Sequence, residues 1–171
     1  MNDGSVFLLP SSRQLFMDSA LFSSQVTQVT RILATGTFDI LHPGHLYFLE
    51  RAKELGDELY VIISRDVNVN HKPTPILPEK QRLEMVRALK PVDYAVLGSL
   101  TDYFEPIASI RPDIIVLGFD QKFKEKDLEE ELNKRGFSSK VIRLPAADGS
   151  FYSSRSISAE IVKRKKEEFR D

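Results

Sequence analysis

The stretch "ATGTFDILHPGHLYFLERAKELGDELYVIISRD", residues 34–66, decides the fold of this chain. It opens at the end of an apolar run, Ile32-Leu33-Ala34-Thr35, and passes two histidines, His42 and His45, that flank Pro43-Gly44. Leu46, Leu49, Ala52 and Leu55 then recur at three-residue steps, and a second apolar run covers residues 59–64. Short unbroken apolar runs suit parallel strands covered on both faces, and the three-residue steps predict one buried stripe on a helix. Proline is tolerated at the first helical position because its missing N–H would have no partner there. Pro43 therefore opens the helix and His42 caps it.

The same alternation continues to the end of the chain. "DYAVLG" (93–98), "DIIVLG" (113–118) and "KVIRL" (140–144) predict three more strands. Leu83, Val86 and Leu89 mark a second helix with Pro78 in its first turn; "EPIASI" suggests a third, "KDLEEELNKRG" a fourth ending at Gly136, and "SRSISAEIVKRKKEEF" a last one. Strand and helix in strict alternation predict a Rossmann-like, doubly wound α/β fold: a five-stranded parallel sheet with helices on both faces and a ligand crevice at the carboxyl ends of the strands. Residues 1–30 are serine-rich with apolar patches of no period, so a poorly ordered leader is expected there and the domain is placed at 31–171. The alternative is an arm that packs through Phe7, Leu8, Leu9, Phe16, Leu21 and Phe22.

A chain of 171 residues is long enough to bury roughly two-thirds of its unfolded surface in one domain. It has no cysteine, which excludes disulfides, thiolate metal sites and a cysteine nucleophile, and fits a reducing, cytoplasmic setting. The net charge of −1, with interleaved signs, offers no nucleic-acid-binding surface, and no apolar run is long enough for a membrane span. An anionic ligand must then be held by local geometry. At "HPGH" the free amides of a helix start, the helix dipole and two imidazoles form such a cradle, and Gly44 lets a ligand approach the backbone. Thr37, just after the first strand, adds a hydroxyl. The histidines could also be plain caps, or ligate a metal. No third ligand is evident for the metal reading, and the other histidine, His71, lies in a loop. No Gly-x-Ser-x-Gly elbow of a triad hydrolase is present.

Gly36-Thr37-Phe38-Asp39 followed by Leu41-His42-Pro43-Gly44-His45 resembles the signature of the cytidylyltransferase-like nucleotidyltransferases, whose His-x-Gly-His motif binds a nucleoside triphosphate. The resemblance runs from about residue 32 to 162. Its supporting elements are a basic loop with Lys72, a helix carrying Arg82, Gly118-Phe119-Asp120 after the fourth strand, and Ser153-Ser154 before the last helix. It implies catalytic roles for His42, His45 and Lys72, and nucleotide contacts from Thr37, Phe38, His42, Pro43, Gly44, His45, Asp120, Ser153, Ser154 and Arg155. It also implies a divalent ion, Mg²⁺, bound mainly through the triphosphate rather than by protein ligands, and a homodimer. Physically, Asp120 can accept from ribose hydroxyls or a base amine, or cap the next segment; the serines can donate to phosphate, or merely cap their helix.

"PILPEKQRLEMVRALKPVDYAVLGS" and "IRPDIIVLGFDQKF" look most like the archaeal FAD synthases, which transfer AMP from ATP to FMN. Glycerol-3-phosphate cytidylyltransferases typically carry Arg-Thr-x-Gly-Ile-Ser-Thr-Thr before the last helix, where this chain has "PAADGSFYSSRSI", with Ala146 and Ala147 in place of the arginine and threonine. Phe151 and Tyr152 could stack on a flavin or adenine ring. Sugar-phosphate nucleotidyltransferases and a nucleotide-sensing module without turnover are the other readings.

Overall fold

The computed structural model of the chain describes residues 28–69, 74–147 and 153–168. Its elements are β1 (Arg31–Gly36), α1 (Pro43–Lys53), β2 (Glu58–Ile63), a 3-10 turn (Asp66–Asn68), α2 (Glu79–Arg87), β3 (Tyr94–Leu97), α3 (Glu105–Ile110), β4 (Ile114–Leu117), α4 (Glu125–Lys134), β5 (Lys140–Arg143) and α5 (Ser154–Glu168). The five strands form one sheet in the order β3-β2-β1-β4-β5, and every pairing is parallel. Side chains alternate across it. Ile32 and Ala34 of β1 face one core with Leu49, Ala52 and Val86 of α1 and α2, while Leu33 faces a second core with Ile107 and Ile110 of α3 and Leu128 and Leu132 of α4. The sheet is therefore covered on both sides, as its unbroken apolar strands require.

Two local expectations are corrected. Leu46 does not join the buried stripe of α1: it is 40% exposed, and Phe48, Leu49, Ala52 and Leu55 pack on the core instead. A strict three-residue step drifts about 60° around a helix of 3.6 residues per turn, so the first leucine rotates out to solvent. Pro78 stands one position before the first turn of α2, in extended backbone at φ −57° and ψ 148°, as its cap residue. The close of α4 follows expectation. Gly136 takes a φ of +80°, and the N–H groups of Gly136 and Phe137 donate to the carbonyls of Asn133 and Leu132, the paired bonds that end a helix on a left-handed residue.

At the amino end of the sheet the strands are tied to aspartates. Asp113 accepts from Arg31 N–H at 2.8 Å, Asp93 from Leu59 N–H at 2.6 Å, and Asp57 from Thr30 N–H at 2.8 Å. The Thr30 carbonyl in turn accepts from the N–H groups of Asp57 and Glu58, so residue 30 is joined to the sheet. Burial pushes the Asp93 carboxyl up, but the Leu59 N–H and the Lys53 ammonium outweigh it and hold the group below its ordinary value.

Candidate functional site

In the order β3-β2-β1-β4-β5 the chain reverses direction between β1 and β4, so the crevice outside their carboxyl ends is the place where a doubly wound sheet binds ligands. Beyond β1, Phe38 adopts a left-handed φ of 52° and is only 3% exposed. Its ring folds back over Gly36, where an added Cβ would lie 2.7 Å from the ring, so only glycine leaves room. This turn delivers the chain to α1. His42, in extended backbone, caps the helix with its side chain and Pro43 follows in the first turn.

The two imidazoles stack, with centroids 3.7 Å apart and planes 21° from parallel, and the Phe38 ring lies 5.1 Å from His45. His42 Nδ1 accepts from His45 N–H at 3.3 Å. A neutral imidazole that accepts at Nδ1 carries its proton at Nε2, so the cap bond selects the tautomer with a donor turned outward. Burial lowers the His42 pKa from its ordinary value of 6.5, and the Asp120 carboxylate offsets part of that fall. The side chain is thus neutral at pH 7. Asp120, exposed on the loop after β4, is therefore within electrostatic reach of His42.

Two arginines hold the loops that frame this point. Arg82 of α2 is completely buried: its Nε donates to the Leu77 carbonyl at 3.0 Å, one terminal nitrogen to the Thr37 carbonyl, and the other to the Ser64 carbonyl at 2.8 Å and to Asp66 at 2.6 Å. Asp66 and Glu79 bond reciprocally, each carboxylate accepting the other residue's N–H, and Arg65 pairs with Glu79. Asp39, in the motif but given no role by its sequence, accepts from Leu77 N–H at 2.9 Å and ties the turn after β1 to the entry of α2. Arg143, at the end of β5, grips the loop after β4. It donates to the carbonyls of Gly118 at 2.7 Å, Gln121 at 3.0 Å and Phe123, and pairs with Glu125. Within that loop the Gln121 amide donates to the Thr35 carbonyl at 2.7 Å, fastening it to β1.

The start of α5 completes the frame. The Ser154 hydroxyl reaches the Ile40 carbonyl at 3.5 Å, which brings this helix to the turn that carries His42. Ser153 caps α5, accepting from Ser156 N–H at 3.1 Å, and Arg155 is exposed. The structure therefore gathers Thr37, Phe38, His42, Pro43, Gly44, His45, Asp120 and Ser154 around one end of the sheet. Lys72, Phe151 and Tyr152 lie outside the described residues. Among the described residues no three His, Asp or Glu converge as a metal site. Among them, too, no helix is long and apolar enough to cross a membrane.

The cytidylyltransferase-like family matches residues 33–160. An FAD synthase of Methanolacinia petrolearia is 58% identical over 142 residues, 82% of this chain and 96% of the relative. One of Methanoculleus marisnigri is 61% identical over 132 residues, 77% of this chain and 89% of the relative. Among solved structures, a lipopolysaccharide core biosynthesis protein of Thermoplasma volcanium shares 44% identity at a TM-score of 0.69, covering 70% of this chain and 99% of the other. A protein of unknown function from Archaeoglobus fulgidus, 16% identical with a TM-score of 0.57 over 67% of this chain and 89% of the other, shares the fold.

Proposed function

The chain belongs to the cytidylyltransferase-like family, and we infer from its kinship with archaeal FAD synthases that it transfers AMP from ATP to FMN, giving FAD and pyrophosphate. The observation that carries this reading onto particular atoms is His42, its tautomer fixed by the cap bond, stacked on His45 at the start of α1 and within electrostatic reach of Asp120. Glycerol-3-phosphate cytidylyltransferase, sugar-phosphate transfer and nucleotide sensing are not favoured, because relatives of this identity are FAD synthases.

In the reaction an FMN phosphate oxygen attacks the α-phosphorus of ATP in line, the new phosphoanhydride bond forms, and the bond to the β-phosphate breaks with its electron pair on pyrophosphate. The charge that appears on the leaving group is met by the Nε2–H of His42, by His45, by the Gly44 amide and the dipole of α1, and by Lys72. Thr37, Phe38 and Pro43 shape the floor beneath the triphosphate. Asp120 accepts from the ribose hydroxyls or the adenine amine, while Ser153, Ser154 and Arg155 bring the start of α5 to the phosphates. A divalent ion, Mg²⁺, arriving with ATP supplies charge neutralisation on the phosphates. No covalent enzyme intermediate is needed, so positioning and electrostatics account for the rate.

The small-molecule substrates and balanced charge fit a cytoplasmic enzyme without nucleic-acid or membrane partners, and the half-exposed Ile161 and Val162 on α5 support a homodimer. The decisive experiment incubates the protein and Mg²⁺ with ATP or CTP and with FMN or glycerol 3-phosphate, and separates the products by chromatography. FAD from ATP and FMN is expected; CDP-glycerol without FAD overturns the reading.

A further inference from the structure

Two aromatic rings at the carboxyl end of the sheet belong to neither core. Tyr103 is 44% exposed and Phe123 46%, and their centroids stand 5.5 Å apart with planes tilted by 32°. Aromatic side chains left half in water are usually surface accidents when their backbones are free to move, but these two are held. The hydroxyl end of Tyr103 is buried near Thr35 at the end of β1, and that burial raises its pKa. Phe104 meets Tyr103 edge-on at 5.7 Å and lies in turn under the Arg135 guanidinium, 4.0 Å from its ring centroid. The Phe123 carbonyl is one of those gripped by Arg143.

We propose that Tyr103 and Phe123 are the wall on which the isoalloxazine ring of FMN stacks, and so the residues that select a flavin as acceptor. The proposal rests on the FMN reading above. Its first support is the direction of the chemistry. In-line transfer requires the acceptor to approach the α-phosphorus from the side opposite the departing pyrophosphate. Pyrophosphate leaves over the start of α1, whose residues pack on the core of Ile32 and Ala34; Tyr103 precedes α3, whose residues pack on the opposite core with Leu33. The acceptor therefore enters from the face where the two rings stand. The second support is reach. Asp120, within electrostatic reach of His42, and Phe123 are three residues apart on one loop, a separation of at most about 11 Å for extended chain. The ribityl phosphate of FMN bridges a gap of that order, placing its phosphate at the α-phosphorus, on the side away from the histidines, when its ring is on the wall. The third is chemistry: a large flat π system gains from offset stacking on such rings, whereas a glycerol or sugar phosphate has nothing to offer them.

The test titrates the full chain with FMN, read by quenching of flavin fluorescence, and separately with ATP, read by calorimetry. Wild type is compared with Phe123→Leu, which keeps apolar bulk but loses the ring, with Phe123→Ala and with Tyr103→Leu. Thermal unfolding confirms that each variant is folded. Removal of one stacking face is expected to raise the FMN Kd by about tenfold or more and to weaken the quenching, with the ATP Kd unchanged within about twofold. If wild type binds FMN and all three folded variants bind it equally well, the wall is not the flavin subsite. A loss confined to ATP would show that adenine occupies it, and likewise overturns the proposal. Absence of both FMN binding and FAD formation in wild type would bring down the functional reading itself, an outcome the variant series separates from the others.

Discussion

The two ends of the sheet are built differently. At the amino end, aspartates accept the opening N–H groups of the strands: Asp113 that of Arg31, Asp93 that of Leu59 and Asp57 that of Thr30. Donor and acceptor are matched within the protein. At the carboxyl end, arginines bind the carbonyls of the connecting loops, Arg82 around Thr37, Ser64 and Leu77, and Arg143 around Gly118, Gln121 and Phe123. There the clamps lie beneath the loops, while side chains above them, His42, Asp120, Tyr103 and Phe123, are left facing solvent or one another. One end closes the fold, and the other holds its loops fixed from below, leaving the upper surface free of those clamps. The lesson is that polar residues at the carboxyl end divide into two kinds, those that fix the loops and those that the loops present.

Arg82 sharpens the division most. Removing a fully buried charge partner leaves three carbonyls and Asp66 unmatched, so Arg82→Ala should cost about 3–5 kcal/mol of stability by denaturant unfolding. If it unfolds normally but loses turnover, the clamp belongs to the upper surface of the carboxyl end and the division fails. His45→Ala should do the reverse. Loss of a transition-state donor lowers turnover by about 2.7–4 kcal/mol, with ATP affinity and melting temperature nearly unchanged. Equal losses in binding and turnover would make it a uniform binder.

At the amino end, Asp93→Asn should cost about 1 kcal/mol of stability and leave steady-state kinetics untouched. Its pH signature has a definite sign. The folded pKa of Asp93 lies below 3.8, so its contribution is complete above that value and is lost as pH falls through the lower folded pKa; the variant should lack this part of the acid transition. His42, also lowered, acts in the window below 6.5: the unfolded chain takes up the proton first, so stability falls as pH drops there. The smallest effect is expected from deleting residues 1–27. Thr30 is bonded to Asp57 and must stay, but truncation before it should leave activity and oligomeric state unchanged, as gel filtration and FAD assays can check.

The fold was legible because its signals are local. Apolar runs and Pro43 with His42 name a strand, a cap and a helix from neighbouring letters, and all five strands lie within a residue or two of the positions read from sequence. The placement of His42 as cap and His45 in the first turn of α1 was legible for the same reason. The clamps were not. Arg82 and Arg143 bind main-chain carbonyls, and a carbonyl has no letter of its own, so nothing in "EKQRLEM" or "KVIRLP" says which loop each will hold. Asp39 and Gln121 escaped likewise, since their partners, Leu77 N–H and the Thr35 carbonyl, lie 38 and 86 residues away. Tyr103 and Phe123 meet only because loops after β3 and β4 converge across the sheet, a fact of strand order rather than of spacing. Ser153 shows the opposite limit: sequence offered both cap and phosphate donor, and its hydroxyl is engaged as a cap.

The strand order also sets when the crevice comes into being. β1 pairs with β2 across a separation of 27 residues, Arg31 to Glu58, but with β4 across 82, Ile32 to Ile114. Closing the longer loop costs about 1 kcal/mol more in chain entropy, so the seam between β1 and β4 is the later one to zip during folding. The half from β1 to β3 can assemble with the histidines in place and still have no opposing loop. A ligand that spans the seam binds only the finished molecule, and its effect should appear as slower unfolding rather than faster folding.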